Sequence, residues 1–308
     1  MRRLLFTRRF DHYTGGHGKV LDYLRHADAH PAWTPELGLD PDSTMAGNPF
    51  LEHPRARVGI PVAGRDDVLF LAGEDWRWMP PDRADRKVVN LVQGVRHADP
   101  GSSLRAYLAR KAIRICVSHA VADAIRATGE VCGPVHVIPA ALSLPKAAPV
   151  APRLREGIFI AAHKQPELGV ALADALRAQG HTVDLQLGLV ERNEFLAKLA
   201  RAEVAIPLPL AQEGFFLPGL EAMALGCLLV GVDAAGNREY LRDGVNAIVA
   251  APTLAGILEA VSRLPADRPA RDAMIAAGSE TAAAFSLARE RAAFHRLLDD
   301  LEAQWHAT

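Results

Sequence analysis

Two α/β domains in one chain, each a parallel sheet wound with helices, are what the sequence predicts. Three observations carry this. The 308 residues are about two typical domain lengths. Short apolar runs of strand character alternate with segments of helical period along both halves, and such alternation implies right-handed crossovers and parallel sheets. A stretch without periodicity, SLPKAAPVAPR at 143 to 153, carries three prolines and separates the halves. The expected division is a first domain over 1–145, a linker over 146–155 and a second domain over 156–308. That second domain ends in an Ala-rich helical tail, whose last helix is expected to pack back toward the first domain.

Taken in order, Leu4 to Thr7 is a short apolar strand, and Tyr13-Thr-Gly-Gly-His-Gly-Lys19 is a turn feeding a helix through Val20, Leu21 and Leu24. Asp67 to Ala72 and Lys87 to Val92 are continuous apolar runs, the mark of strands buried on both faces. Leu104, Tyr107 and Leu108 keep helical spacing until a strand begins at Ile113. Ser118 is a good N-cap for a helix through Val121 and Ile125, and Pro134 to Pro139 closes the half as a strand. The second half alternates strands at 157–162, 182–187, 203–207 and 227–232 with helices at 166–179, 192–202 and 218–225.

Composition narrows the function. With 49% hydrophobic and 23% charged residues the chain can bury full cores, and a net charge of −1 provides no global field for a polyanion, so nucleic acid is not an expected partner. Cys116, Cys132 and Cys227 sit in apolar runs without C-x-x-C spacing, which suits small buried hydrophobes in a reducing compartment. The apolar stretch near the N-terminus is too short for a signal peptide, and no later run reaches the roughly 18 uncharged apolar residues of a membrane span. The expected location is the cytoplasm. Between Arg83 and Arg114 eight cationic side chains stand against Asp85 and Asp99. A solvated helix face explains that excess; the sharper alternative is peripheral contact with a membrane surface or an anionic lipid-linked acceptor.

Ligands of open α/β sheets lie at the carboxyl ends of the strands, so the loops there are searched for chemistry. Glu213-Gly-Phe-Phe-Leu-Pro-Gly-Leu-Glu221 follows a strand directly. Pro218 suits a first helical turn and Gly226 a C′ position, so this helix would aim free N–H groups and a positive dipole at the cleft, as phosphate binding requires. Glu213 on the loop and Glu221 one turn into the helix can flank one ligand, and carboxylates grip vicinal sugar hydroxyls by charge-assisted hydrogen bonds. A second loop, Thr14-Gly-Gly-His-Gly-Lys19, is not a Walker A, because Tyr13 and Val20 stand where glycine and a hydroxyl are needed.

The run EGFFLPGLEAMALGCLLVGVDAAGNREYLRDGVNAIV from Glu213 resembles the E-x7-E donor motif of family-four glycosyltransferases of the GT-B fold, followed by their Gly-Asn-x-Glu stretch at Gly236, Asn237 and Glu239. Ser118-His-Ala-Val-Ala and Val137-Ile-Pro resemble the S-x-x-[VL]-A and V-I-P segments that close the first domain of that family. The resemblance implies two Rossmann-like domains facing a cleft, and a retaining transfer from a nucleotide sugar to a glycan, glycolipid or small-molecule acceptor without a metal. It gives Glu221 the ribose hydroxyls and Glu213 the transferred sugar. The backbone amides of Phe215, Phe216 and Leu217 take sugar and diphosphate, with Gly236 and Asn237 beside them. Gly15 and Gly16 would let backbone amides approach phosphates or acceptor, with His17 in the same loop.

Three departures from the family stand out. Its Arg and Lys after the first strand of the second domain are replaced here by His163 and Leu168, so the diphosphate falls to Lys164 with His163 as a second donor. Gln93 stands where many members place a histidine near the acceptor; His97 follows within reach and is a candidate catalytic group together with Glu213 and Lys164. Ala140-Ala141 replaces the usual Asn-Gly. The second domain is also short by about one strand and one helix. Glu74 and Asp75, ending another strand, are candidates for acceptor hydroxyls or else ordinary turn carboxylates. No Asp-x-Asp or metal-ligand cluster occurs in a suitable loop, so no cofactor is expected. Two other classes fit less of this pattern: a non-hydrolysing nucleotide-sugar epimerase, and a non-catalytic sugar-binding relative.

Overall fold

The computed structural model describes residues 2–79, 86–144 and 155–307. By contacts the chain divides into two units, Met1–Ala140 with Leu287–Thr308, and Ala141–Ser286. The tail therefore belongs with the first unit rather than with the second domain, to which the sequence boundary at 156 assigned it. Of the linker expected over 146–155, all but Arg155 lies outside the described residues.

The first unit is a seven-stranded sheet with order β3-β2-β1-β4-β5-β6-β7. Its strands are β1 (Arg2–Arg8), β2 (Trp33–Leu39), β3 (Ala56–Val58), β4 (Val68–Ala72), β5 (Lys87–Val92), β6 (Ile113–Cys116) and β7 (Val135–Val137), all paired in parallel. Helices α1 (Gly15–Asp28) and α2 (His119–Arg126) follow β1 and β6. Ser118 caps α2 as the sequence predicts, accepting from the Val121 amide at 3.2 Å. The tail adds α8 (Leu287–Asp299) and α9 (Leu301–His306) to this unit. Phe294 of α8 packs edge-on against Tyr23 and Phe70.

One strand of this sheet, β2, breaks the usual sequence rules twice. Pro35 lies in β2 at a position paired only with Leu4 of β1; the register with β3 begins at Leu37, so no ladder bond is lost there. A Cβ on Gly38 would come within 2.2 Å of Pro61, which explains a glycine inside the same strand. The helix expected beyond Leu104 is a 3-10 turn over Ser103–Ala109. The carbonyls of Tyr107, Leu108 and Arg110 accept instead from the guanidinium of Arg114, which is wholly buried.

That burial also removes most of the expected basic surface. Arg86 is buried against the Ala63 carbonyl, Lys87 pairs with Glu302 and Arg105 with Glu130. Arg83 lies outside the described residues. Among the described helices none is long and apolar enough to cross a membrane. Cys116 and Cys227 are buried as expected, but Cys132 is exposed, because it sits in the loop beyond α2 rather than in a core strand.

The second unit is a five-stranded parallel sheet, order β12-β11-β10-β8-β9. Its elements are β8 (Ile158–Ala161), α3 (Pro166–Ala178), β9 (Val183–Gln186), α4 (Arg192–Arg201), β10 (Val204–Pro207), α5 (Leu217–Ala224), β11 (Leu228–Val232), β12 (Ile248–Ala250), α6 (Leu254–Ser262) and α7 (Arg268–Ala284). Strand order reverses between β8 and β10 here, and between β1 and β4 in the first sheet. Each reversal is a topological switch point, where adjacent crossovers leave in opposite directions and open a crevice.

Candidate functional site

In the second unit the loops after β8 and β10 lie at the switch point, and they bring Lys164 and Glu213 together. The Lys164 ammonium forms an ion pair with the Glu213 carboxylate, which also accepts from the Leu210 amide at 3.3 Å. The ammonium lies 5.2 Å from the ring centre of buried Phe216, a cation–π contact that holds it at the mouth of the loop. Gln165 donates to the Pro209 carbonyl and ties the two loops together. His163 lies half-buried beside them. Burial first, and then Lys164, hold its imidazole below the usual histidine value, with Glu213 opposing, so it adds no second fixed cation.

Glu221 lies inside α5, and its side chain is only 1% exposed. Its Oε1 pairs with Arg192 at 2.6 Å, while Oε2 is buried without a hydrogen-bond partner. Burial raises the Glu221 carboxyl above the usual carboxylate range, and Arg192 pulls it back. Sequence reasoning missed Arg192. It is the first residue of α4, at the carboxyl edge of β9, and a strand-to-helix boundary was the only signal it gave.

The loop between the two carboxylates is braced from behind. Phe216 is the N-cap of α5, and its carbonyl accepts from the Tyr240 hydroxyl at 2.7 Å. Phe215 packs its ring on Tyr240 and Phe285. Leu217 opens the helix, in whose first turn N–H groups have no intrahelical acceptor. Asn237 is buried; it accepts from the Tyr240 hydroxyl at 3.0 Å and donates to the Val232 carbonyl at 2.8 Å. Gly236 passes so close to the loop that a Cβ would stand 2.5 Å from the Gly214 carbonyl carbon. Gly236 and Asn237 thus brace the Gly214–Leu217 loop from behind.

In the first unit the residues after β1, β4 and β5 behave differently from one another. Gly15 is exposed and Gly16 half-buried in the first turn of α1, capped by Thr14. Gln93 donates to the Gly16 carbonyl at 3.0 Å, so the two predicted groups do meet. A Cβ on Gly16 would stand 2.9 Å from the Gln93 amide oxygen. His17 is spent on structure, its ring nitrogens bound to Thr14 at 3.0 Å and the Arg9 carbonyl at 3.1 Å, and burial lowers it to about 4.

Asp75 turns inward: its carboxylate accepts from the Ala72 amide and from Arg8, each at 3.1 Å, and burial raises it to about 6. It closes the end of β4 and offers nothing to an acceptor. Glu74 is exposed and accepts from the Ser103 and Tyr107 hydroxyls. His97 is buried. Its Nδ1 bonds the Gly94 carbonyl at 2.9 Å, Nε2 has no partner, and burial lowers the ring to about 4. Lys19, at the end of the glycine loop, is buried among Asp22 at 2.7 Å and Glu290 at 3.0 Å, and is not available to a phosphate.

Comparison with known proteins agrees with this geometry. Residues 171–267 match the family model of the group 1 glycosyl transferases, a stretch that contains Arg192, Glu213, Glu221, Gly236 and Asn237 but begins after His163 and Lys164. No curated protein matches the sequence. Among solved structures the fold is similar to sucrose-phosphate synthase from Thermosynechococcus elongatus, at 16% identity and TM-score 0.74, covering 98% of this chain and 100% of that one. It is also similar to HepE of Anabaena in complex with UDP-glucose, at 15% identity and TM-score 0.76 over 97% and 100% of the chains. A glycosyltransferase from Rickettsia africae aligns at 12% identity and TM-score 0.73 over 97% and 98%. The shared architecture gives this chain the fold of these GT-B glycosyltransferases, and its residues 171–267 are similar to the group 1 glycosyl transferases.

Proposed function

We propose that the protein moves a sugar from a nucleotide-activated donor to a hydroxyl of a glycan, glycolipid or small-molecule acceptor, with retention at the anomeric carbon. The observation that carries this is the pair of carboxylates at the switch point of the second unit. Glu213 sits beside a lysine at the mouth of the loop, and Glu221 is buried behind it with one oxygen unsatisfied. A diphosphate and a sugar diol can take over from the existing partners: an anion for Lys164 in place of Glu213, and hydroxyl donors for the two carboxylates. In the proposed reaction Lys164 stays with the departing diphosphate as its charge grows, and releases Glu213 to hold the sugar. HepE of Anabaena was solved with UDP-glucose, which supports a nucleotide sugar as the donor class. Gln93 and the Gly15-Gly16 turn in the first unit are the groups proposed to meet the acceptor or phosphates. The reading places the enzyme in the cytoplasm.

Binding and turnover across UDP-, GDP- and dTDP-sugars test this. Saturable binding of at least one donor and release of its nucleoside diphosphate in the presence of an acceptor glycan are expected. Glu221→Ala should mainly weaken nucleotide affinity and Glu213→Ala mainly lower turnover, each by about tenfold to a hundredfold. Activity is expected to survive EDTA. Near-normal kinetics of both variants, or metal-dependent activity, would refute the reading.

A further inference from the structure

We propose that Arg192 is a positioning residue for the nucleotide: it fixes one oxygen of Glu221 and leaves the other, buried and unsatisfied, to accept the ribose hydroxyls. This rests on the donor reading above and adds a residue that the E-x7-E pattern does not contain. A ribose diol brings two donors, and only an ionised carboxylate is purely an acceptor; a protonated one would present a hydroxyl of its own and lose half its capacity. A carboxylate 1% exposed in a core is under pressure to take up that proton.

Arg192 answers that pressure, and it does so from a different element. At the start of α4 its guanidinium is 29% exposed, so it keeps much of its own hydration while its 2.6 Å contact compensates the buried charge. It also donates to the Ser143 carbonyl at 3.2 Å, which limits the swing of its side chain. Arg192 is the charged group that acts on the carboxyl. Tyr240 is buried with its hydroxyl committed, and burial together with Glu221 and Glu213 pushes its phenol well above the usual value. Cys227, in the core under α5, has its thiol pushed up to about 12 by burial. Glu213, the like charge of the same motif, is engaged with Lys164.

The sign of the pH effect follows. The carboxyl already sits above the usual range, and binding that needs its ionised form is present above that value and lost as pH falls through it. Removing Arg192 raises the value further, so the loss of affinity should begin at a higher pH.

Calorimetric titration of the full chain with UDP, GDP and dTDP is run as a pH series that starts in the ordinary carboxylate range and rises to about pH 8.5. The nucleotide that binds most tightly is then taken to the variants. Arg192→Ala should weaken it about tenfold at neutral pH and move the acid limb upward. Arg192→Lys should restore the limb with part of the affinity, since it keeps the charge but not the planar fork. In a Glu221→Gln background, adding Arg192→Ala should cost much less, and the acid limb should be gone. If Arg192→Ala melts early, Arg192→Lys against Arg192→Gln gives the same comparison of charge with no charge. An unmoved acid limb with full affinity, or an equal loss in the Glu221→Gln background, would overturn the role of Arg192 and leave the donor reading standing. Wild-type binding by Glu221→Gln, or no binding of any of the three nucleotides, would overturn the donor reading and this proposal with it.

Discussion

Glu213 and Lys164 neutralise one another across two loops, and in the proposed function a donor has to come between them. Both are partly exposed, so the pair itself contributes little to stability, about 0.2 to 1 kcal/mol. Its importance lies in charge already placed where a leaving diphosphate will need it. Lys164→Ala should therefore leave the melting temperature almost unchanged while lowering turnover by about two orders of magnitude, and should weaken nucleoside diphosphate more than monophosphate. Equal losses for the two nucleotides, read by titration, would assign the charge elsewhere. Lys19 cannot supply it, being buried between Asp22 and Glu290. His163→Ala should have little effect at neutral pH and begin to matter only in acid, because the imidazole is held below the usual histidine value. An imidazole of ordinary value would show that onset near about pH 7; the cause of the shift is burial beside a cation, which no residue pattern reveals.

At the scale of elements, the strands and helices that carry the donor site were legible because each signal was local. Val204–Pro207, the Pro218 start and the Gly226 stop around α5 follow rules of composition that tertiary contacts do not override here. What stayed hidden depended on partners distant in sequence. β2 contains Pro35 and Gly38, and becomes a strand only because β1 pairs with it and Pro61 comes close. Asp75 and His97 carried the right chemistry in the right loops, and only the fold decided that they point inward. Gly236 and Asn237 were read as ligand contacts; the structure uses them as a brace under Gly214 and Tyr240. Gly236→Ala tests the brace, since a Cβ 2.5 Å from backbone forces the loop to shift. It should destabilise the second unit by about 1 to 3 kcal/mol and weaken donor binding without touching a ligand. Unchanged urea midpoint and affinity would show that the loop yields freely.

For the whole molecule, the membership of the tail is the decisive feature. Glu290 of α8 is buried with Lys19 and with His26, 2.9 Å from its ring, and both partners lie on α1. Removing a partner from such a cluster leaves charge buried and uncompensated, which costs about 3 to 5 kcal/mol. Glu290→Ala should accordingly lower the stability of the first unit in a urea titration followed by its tryptophan signal, and a chain ending at 286 should lose that unit's cooperative transition. Retention of a sharp transition without residues 287–308 would contradict the division. The same feature has a consequence for biosynthesis. The first unit is written in two pieces and the second, 141–286, in one, with its ends paired by the Leu142 amide on the Phe285 carbonyl at 2.8 Å. On a ribosome the first 140 residues emerge early but wait for the last 22. The segment translated second is therefore the first able to reach its finished form, and a stalled or prematurely released chain would hold a complete second unit and an unfinished first one.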